Sequence, residues 1–269
     1  MKNYMMSFVK SPYLYISLLL IYIFPIINII HNIQTTLQMP FKINTFDFYI
    51  GPYTMWIGID NGGGHTSFMY MLLPILVAIP CVFIYFDNKQ SGYHYFARYK
   101  LQSNKYKNLF FLSALVIGFL LTFVTLLTNF LTMFLIWPNF HIDYTALDNA
   151  GRGVSTFMFP SLFFEHPFLF TIINIILVSM YGSMFAVISI TCCVYISKKF
   201  ICLIIPFILQ ILIGFLSTVY KSKISWTPAQ FLDMSITTSR LPSFWIFIIP
   251  ITVIMAAYII YRIKDVNYE

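Results

Sequence analysis

The sequence predicts an all-α integral membrane protein with six transmembrane helices, and three observations carry that prediction. Of the 269 residues, 59% are hydrophobic and only 9% are charged, whereas a soluble domain carries roughly 25% charged residues. The apolar residues fall into six runs of 18 to 29 residues, enough for a helix to cross a hydrocarbon core about 30 Å thick, which takes roughly 20. Cations gather in alternate connections between those runs, which is how Lys and Arg set the orientation of a membrane protein.

Taken in order, residues 1–11 read as a short interfacial helix with Tyr4, Met5, Phe8 and Val9 on one face and Lys2, Asn3 and Lys10 elsewhere. Ser11 and Pro12 supply an N-cap and a proline at the first helical position. Span 1 covers 13–30. It is too long for a signal-peptide core, and the following "IIHNIQ" lacks a small-x-small cleavage pattern, so the span is expected to be retained. The further spans are expected at 67–86, 109–136, 168–196, 200–219 and 243–261. Spans 4 and 5 are joined only by "SKKF", which requires a tight helical hairpin. No internal repeat, low-complexity tract or soluble domain interrupts 1–269, which reads as a single transmembrane domain.

With the N-terminus inside, the inner segments hold 11 of the 16 Lys and Arg residues and the outer loops hold five, together with six of the nine acids. Both termini are therefore expected in the cytoplasm. The aromatic-rich 31–66 connection is expected to lie against the outer headgroup layer. Residues 220–242 contain a Thr-Pro helix start and an apolar "AQFLDM" turn, and are expected to form a short re-entrant helix.

Several functions are disfavoured by what the sequence lacks. The six spans contain no Asp, Glu, Lys or Arg, although ion-coupled carriers place such groups at mid-membrane. There is no phosphate-binding G-x-x-x-x-G-K-[ST] loop, and Gly62-Gly63-Gly64 reads as a turn. The histidines show no i, i+4 pairing, and Glu165 and His166 are adjacent, a spacing that does not face a common metal. Cys81, Cys192, Cys193 and Cys202 fall within or at the edge of spans, without zinc spacing or an outer-loop partner for a disulfide. Catalysis by the chain itself is not expected. The net charge of +7 sits beside membrane spans, where it acts on topology and anionic headgroups rather than on nucleic acid. Asn129, Asn174 and Gln210 are the polar residues noted within spans, and two readings stand for them: hydrogen bonds between helices, or the lining of a substrate path.

Residues 86–108, "FDNKQSGYHYFARYKLQSNKYKN", hold five of the 16 cations. Read as a helix, 90–101 puts Tyr93, Phe96, Ala97 and Leu101 on one face and Gln90, His94 and Arg98 on the other. Ser103 or Asn104 then caps span 3. Such a helix lies flat at the cytoplasmic surface, either as a topology anchor or as a docking element for a cytoplasmic partner.

In this stretch the chain resembles the permease subunits of type-2 ABC exporters. Those have six spans, both termini inside, and between spans 2 and 3 an acidic pair, a Ser/Thr-Gly, a short helix and a basic-Ser-basic-Tyr group. Here Asp87, Ser91, Gly92, Arg98, Ser103, Lys105, Tyr106 and Lys107 follow in that order, over about 20 residues. Asn88 departs from the pattern, which usually has Glu there, and no role is carried over to it.

The resemblance implies a coupling helix whose Asp87, Ser91, Gly92, Tyr93, Phe96, Arg98, Ser103, Lys105 and Tyr106 meet a separate ABC ATP-binding subunit. That subunit would hold ATP and Mg, and this chain would bind no cofactor. It also implies a second permease, the same chain or a related one, with spans 1, 2 and 5 forming the path between the two. The uncharged path and aromatic outer loops favour an amphipathic or hydrophobic cargo: a membrane-active or antimicrobial peptide, a lipid or a drug. The Ile, Phe, Asn and Lys bias points to an AT-rich bacterial genome, and so to a bacterial cell membrane. The alternative is a non-transporting scaffold or sensor that recruits a cytoplasmic partner through the same helix.

Overall fold

In hydrocarbon no water pairs with the backbone, so an apolar run must satisfy its N–H and C=O groups within its own segment, and a helix does this. The computed structural model describes residues 10–38, 51–59, 64–93, 103–139, 142, 159–220, 224–233 and 242–263. Among these, six helices are long and apolar enough to cross a membrane. They are α1 (Pro12–Gln38), α3 (His65–Gln90), α4 (Ser103–Ile136), α6 (Pro167–Tyr195), α7 (Lys199–Val219) and α9 (Ser243–Ile263). Three short helices join them: α2 (Pro52–Met55), α5 (Pro160–Glu165) and α8 (Pro228–Phe231).

The helices cover the expected spans, except that α6 ends at Tyr195, one residue short of 196, and they differ from them mainly at their ends. Ser11 opens α1 as expected: its hydroxyl accepts from the Tyr13 amide at 3.3 Å and its carbonyl from Leu14 at 3.2 Å. The helix then runs past Ile30 to Gln38, where Thr35 and Thr36 donate back to the carbonyls of His31 and Asn32. The expected interfacial helix over 1–11 falls, up to residue 9, outside the described residues.

Successive spanning helices alternate in direction. Pro12, Gln90, Ser103, Tyr195, Lys199 and Ile263 mark one end of the bundle, here the basal end, and the opposite ends mark the distal one. Among the described residues every Lys and Arg lies at the basal end: Lys10, Lys89, Lys105, Lys107, Lys198, Lys199 and Arg262.

Helix α6 is the centre. Of its most apolar window 78% is buried, against 17% for α7 and 22% each for α1 and α9. It packs on α3, α4, α7 and α9. The tightest crossing, α4 on α6, is built on glycines. A Cβ added to Gly118 would stand 2.7 Å from the Ala186 Cβ and 2.8 Å from the Gly182 carbonyl oxygen. One added to Gly182 would stand 2.2 Å from the Thr122 hydroxyl oxygen. Without a hydrophobic drive between helices in lipid, such close backbone approach supplies the attraction.

Five prolines lie inside spanning helices: Pro25, Pro74, Pro80, Pro206 and Pro250. Each removes the donor that would meet the carbonyl four residues earlier. Three of those carbonyls are met by a side chain from a neighbouring helix. Ser17 of α1 donates to Leu76 at 2.5 Å, opposite the gap left by Pro80. Gln210 of α7 donates to Tyr70 at 3.2 Å, opposite Pro74. Tyr181 of α6 donates to Ile246 of α9 at 2.8 Å, opposite Pro250.

Candidate functional site

The basal connection between α3 and α4 carries the sequence-predicted coupling residues. Helix α3 stops at Ser91 and Gly92: the Ser91 amide donates to the Asp87 carbonyl at 2.9 Å, and Gly92 takes φ +72°. Glycine is the residue that adopts this left-handed position without a Cβ penalty, so the Ser-Gly pair works as a helix stop. Asp87 and Ser91 are exposed, as is Tyr93. The Asp87 carboxylate interacts with the Tyr13 hydroxyl of α1. Tyr13 also stacks on Phe83 of α3 at 4.9 Å, and the Lys199 ammonium of α7 sits 5.4 Å from the centre of the same Phe83 ring. The basal ends of α1, α3 and α7 are thereby gathered around one aromatic side chain.

Residues 94–102, with Phe96 and Arg98, lie outside the described residues, and of Ser103 only the helical backbone is described. Beyond it, Lys105 is exposed, while Tyr106 is fully buried and Lys107 nearly so. The Tyr106 ring lies 6.4 Å from Phe110, which in turn meets Tyr85 of α3 at 5.6 Å. Tyr106 thus fixes the start of α4 against α3, and Lys105 is the member of that pair that faces outward. At the same end Tyr258 of α9 donates to Asn108 at 3.3 Å and lies under the Arg262 guanidinium at 5.7 Å.

Asn129, Asn174 and Gln210 are all buried, but they have different neighbours. Gln210 serves the carbonyl left open by Pro74. The Asn129 side chain accepts from the Ile57 amide at 2.9 Å and donates to the Pro25 carbonyl at 3.5 Å. Both act as joints between chain segments. The Asn174 carbonyl oxygen has no hydrogen-bond partner among the described residues.

The expectation that the 31–66 connection lies against the outer headgroup layer is overturned for its described part beyond α1. All of Gly51–Ile59 is buried. A buried loop needs partners for its backbone, and here they come from three helices: Asn32 of α1 donates to the Met55 carbonyl at 2.7 Å, Asn129 of α4 accepts from Ile57, and Thr66 of α3 donates to the Ile57 carbonyl at 2.6 Å. Tyr53 and Trp56 pack on Phe130 with ring centres 5.9 and 6.2 Å apart. Burial pushes the Tyr53 phenol up. Gly58 lies so close to the Trp56 ring that an added Cβ would stand 2.2 Å from it. The segment is a plug in the distal half of the bundle. Its aromatics gave a surface signal in the sequence, and only the asparagines inside α1 and α4 hinted at an internal backbone partner.

Two further features escaped sequence reasoning. Asp233, in a connection between spans, is fully buried and accepts from Ser67 of α3 at 2.9 Å. His31 and His65, far apart in the chain, bring their rings to 5.2 Å at the distal end. The expected Thr-Pro helix start does form, as the single turn α8, with Thr227 next to Gly214 of α7. All four cysteines are free thiols.

Comparisons with protein families, curated proteins and solved structures returned no significant match to this chain.

Proposed function

We propose that the chain is the permease subunit of an ATP-driven exporter of the type-2 ABC class. In this reading it sits in a bacterial cell membrane with both termini in the cytoplasm. It pairs with a second permease and with ABC ATP-binding subunits that hold ATP and Mg. The observation that carries the reading is the basal connection from Asp87 to Lys107, where the order of acid, Ser-Gly, basic residues and Tyr resembles that class.

The geometry at its two ends supports the same reading. The connection hangs between α3 and α4, both of which pack on the central α6, so a push on it reaches the middle of the bundle. Exposed Asp87, Ser91, Tyr93 and Lys105 would meet the ATPase, together with Phe96 and Arg98. Helices α1 and α7 both pack on α3 and leave most of their length uncovered. The three would form the wall along which an amphipathic or hydrophobic cargo, such as a membrane-active peptide, passes between paired permeases.

The test is gentle detergent purification of the tagged protein from its native cell, followed by mass spectrometry. An ABC ATPase in near-equal amount is expected. Charge reversal at Arg98→Glu and Lys105→Glu should then uncouple ATP hydrolysis from transport while the protein stays folded. Recovery of a partner without nucleotide-binding motifs would sink the proposal and favour a recruiting scaffold.

A further inference from the structure

Helices α6 and α7 leave their basal hairpin in antiparallel directions, and each carries a cysteine near it. Cys193 lies four residues before Ser197 and Cys202 four residues after Lys198 (197 minus 193, 202 minus 198). The two therefore stand at the same height, about one helical turn into the bundle. The hairpin is held by its own backbone. The Ile196 amide donates to the Cys192 carbonyl at 2.9 Å, and the Cys202 amide to the Lys198 carbonyl at 3.3 Å. The Cys202 thiol also donates to the Ile196 carbonyl at 3.5 Å. Cys193 and Cys202 are 1% and 0% exposed, and their thiols interact with each other where α6 packs on α7. We propose that Cys193 and Cys202 are a redox pair that closes to a disulfide under peroxide and ties α7 to α6.

The other two cysteines are nearby but differently placed. Cys81 of α3 and Cys192 both lie within electrostatic reach of Cys193. Neighbours on a helix point about 100° apart, so the side chain of Cys193 rather than Cys192 is the one directed at Cys202. Among the described residues no three His, Cys, Asp or Glu side chains are grouped to hold a metal, and thiol–thiol chemistry is what the pair can do. Hydrogen peroxide, uncharged and little larger than water, oxidises one sulfur to a sulfenic acid and releases water. The second thiol attacks that sulfur and displaces its oxygen as a second water, so two thiols lose two hydrogens and one S–S bond forms. Helix α7 has only 17% of its most apolar window buried, and the bond would fasten it to the central helix while leaving its outer face open. With the basal end in the cytoplasm, as proposed above, the pair is reduced at rest, and a disulfide there is a transient response to oxidation.

The inference does not depend on the proposed transport role. Membranes holding the full-length tagged protein are treated with hydrogen peroxide, alkylated with N-ethylmaleimide in denaturant and digested without reductant. Mass spectrometry with fragmentation, which separates Cys192 from Cys193, is expected to find Cys193 joined to Cys202. Both thiols should be lost to N-ethylmaleimide and recovered after dithiothreitol. Cys81→Ser and Cys192→Ser are expected to keep the link, and Cys202→Ser to lose it. Amide exchange at the start of α7 should slow on oxidation of the wild type and not of Cys202→Ser. Full alkylation of the wild type after peroxide, a link through Cys81 or Cys192, a disulfide between two copies of the chain, or unchanged exchange in the linked protein would each overturn the proposal.

Discussion

The side-chain amide of Gln210 donates to the carbonyl of Tyr70 at 3.2 Å, and that carbonyl is the one Pro74 leaves without its usual donor. A proline in α3 is thus matched by a glutamine in α7, 136 positions later in the chain (210 minus 74). The pairing repeats between Ser17 and Leu76 and between Tyr181 and Ile246. Inside a membrane the alternative is an unsatisfied carbonyl, so these joints tie helix pairs together at defined heights.

Replacing Gln210 by Leu should therefore destabilise the bundle by about 1 kcal/mol. Pro74→Ala restores the amide that meets the Tyr70 carbonyl. The same Gln210→Leu change should cost clearly less in that background. Thermal unfolding of the four proteins in detergent gives the coupling, and a cycle that closes to zero rejects the joint.

Gly182 is the contact point between α4 and α6. Gly182→Ala places a methyl against the Thr122 hydroxyl oxygen and the Gly118 carbonyl oxygen, 2.2 and 2.8 Å away before relaxation. Overpacking of this kind costs about 1–3 kcal/mol. Thr122→Ala should recover part of the loss, because it removes the nearer atom. Monodisperse yield and melting temperature report both changes; an unperturbed Gly182→Ala protein would contradict the crossing.

The plug should open when Asn129 is lost. Asn129→Leu leaves the buried Ile57 amide without its acceptor, at a cost of about 1–3 kcal/mol. Hydrogen exchange followed by mass spectrometry should then show faster exchange in peptides covering 51–59 than in those covering α6. Unchanged protection of 51–59 would mean that Asn129 does not hold the segment.

Gly92 should be sensitive to backbone conformation alone. Its φ is +72° and no described residue lies within 4 Å of an added Cβ, so Gly92→Ala introduces backbone strain, at about 1–2 kcal/mol. Gly92→Asn should lose less, since Asn tolerates this region. If both variants melt with the wild type, the left-handed stop is not formed in the membrane-derived protein.

The histidines and Asp233 show why sites are harder to read than spans. His31 and His65 carry no shared spacing, and their 5.2 Å approach exists only because α1 and α3 pack side by side. Asp233 belongs to the apolar "AQFLDM" turn, and its partner Ser67 comes within reach only because α8 packs on α3. Gly118 and Gly182 are unremarkable in composition, and become decisive once their helices cross.

The sequence by itself determined the six spans, the N-cap at Ser11 and the gathering of cations at alternate connections. These depend on local chemistry: how many apolar residues cross a bilayer, which groups close a helix end, and where charge stays in water. Tertiary structure alone decided that α6 is the centre, that Gly51–Ile59 is buried in the bundle, and that Ser17, Gln210 and Tyr181 meet the carbonyls freed by Pro80, Pro74 and Pro250. The physical reason is one of range. A helix or a cap is satisfied by neighbours within four residues, whereas an orphaned carbonyl or a buried loop takes its partner from any helix that packs beside it.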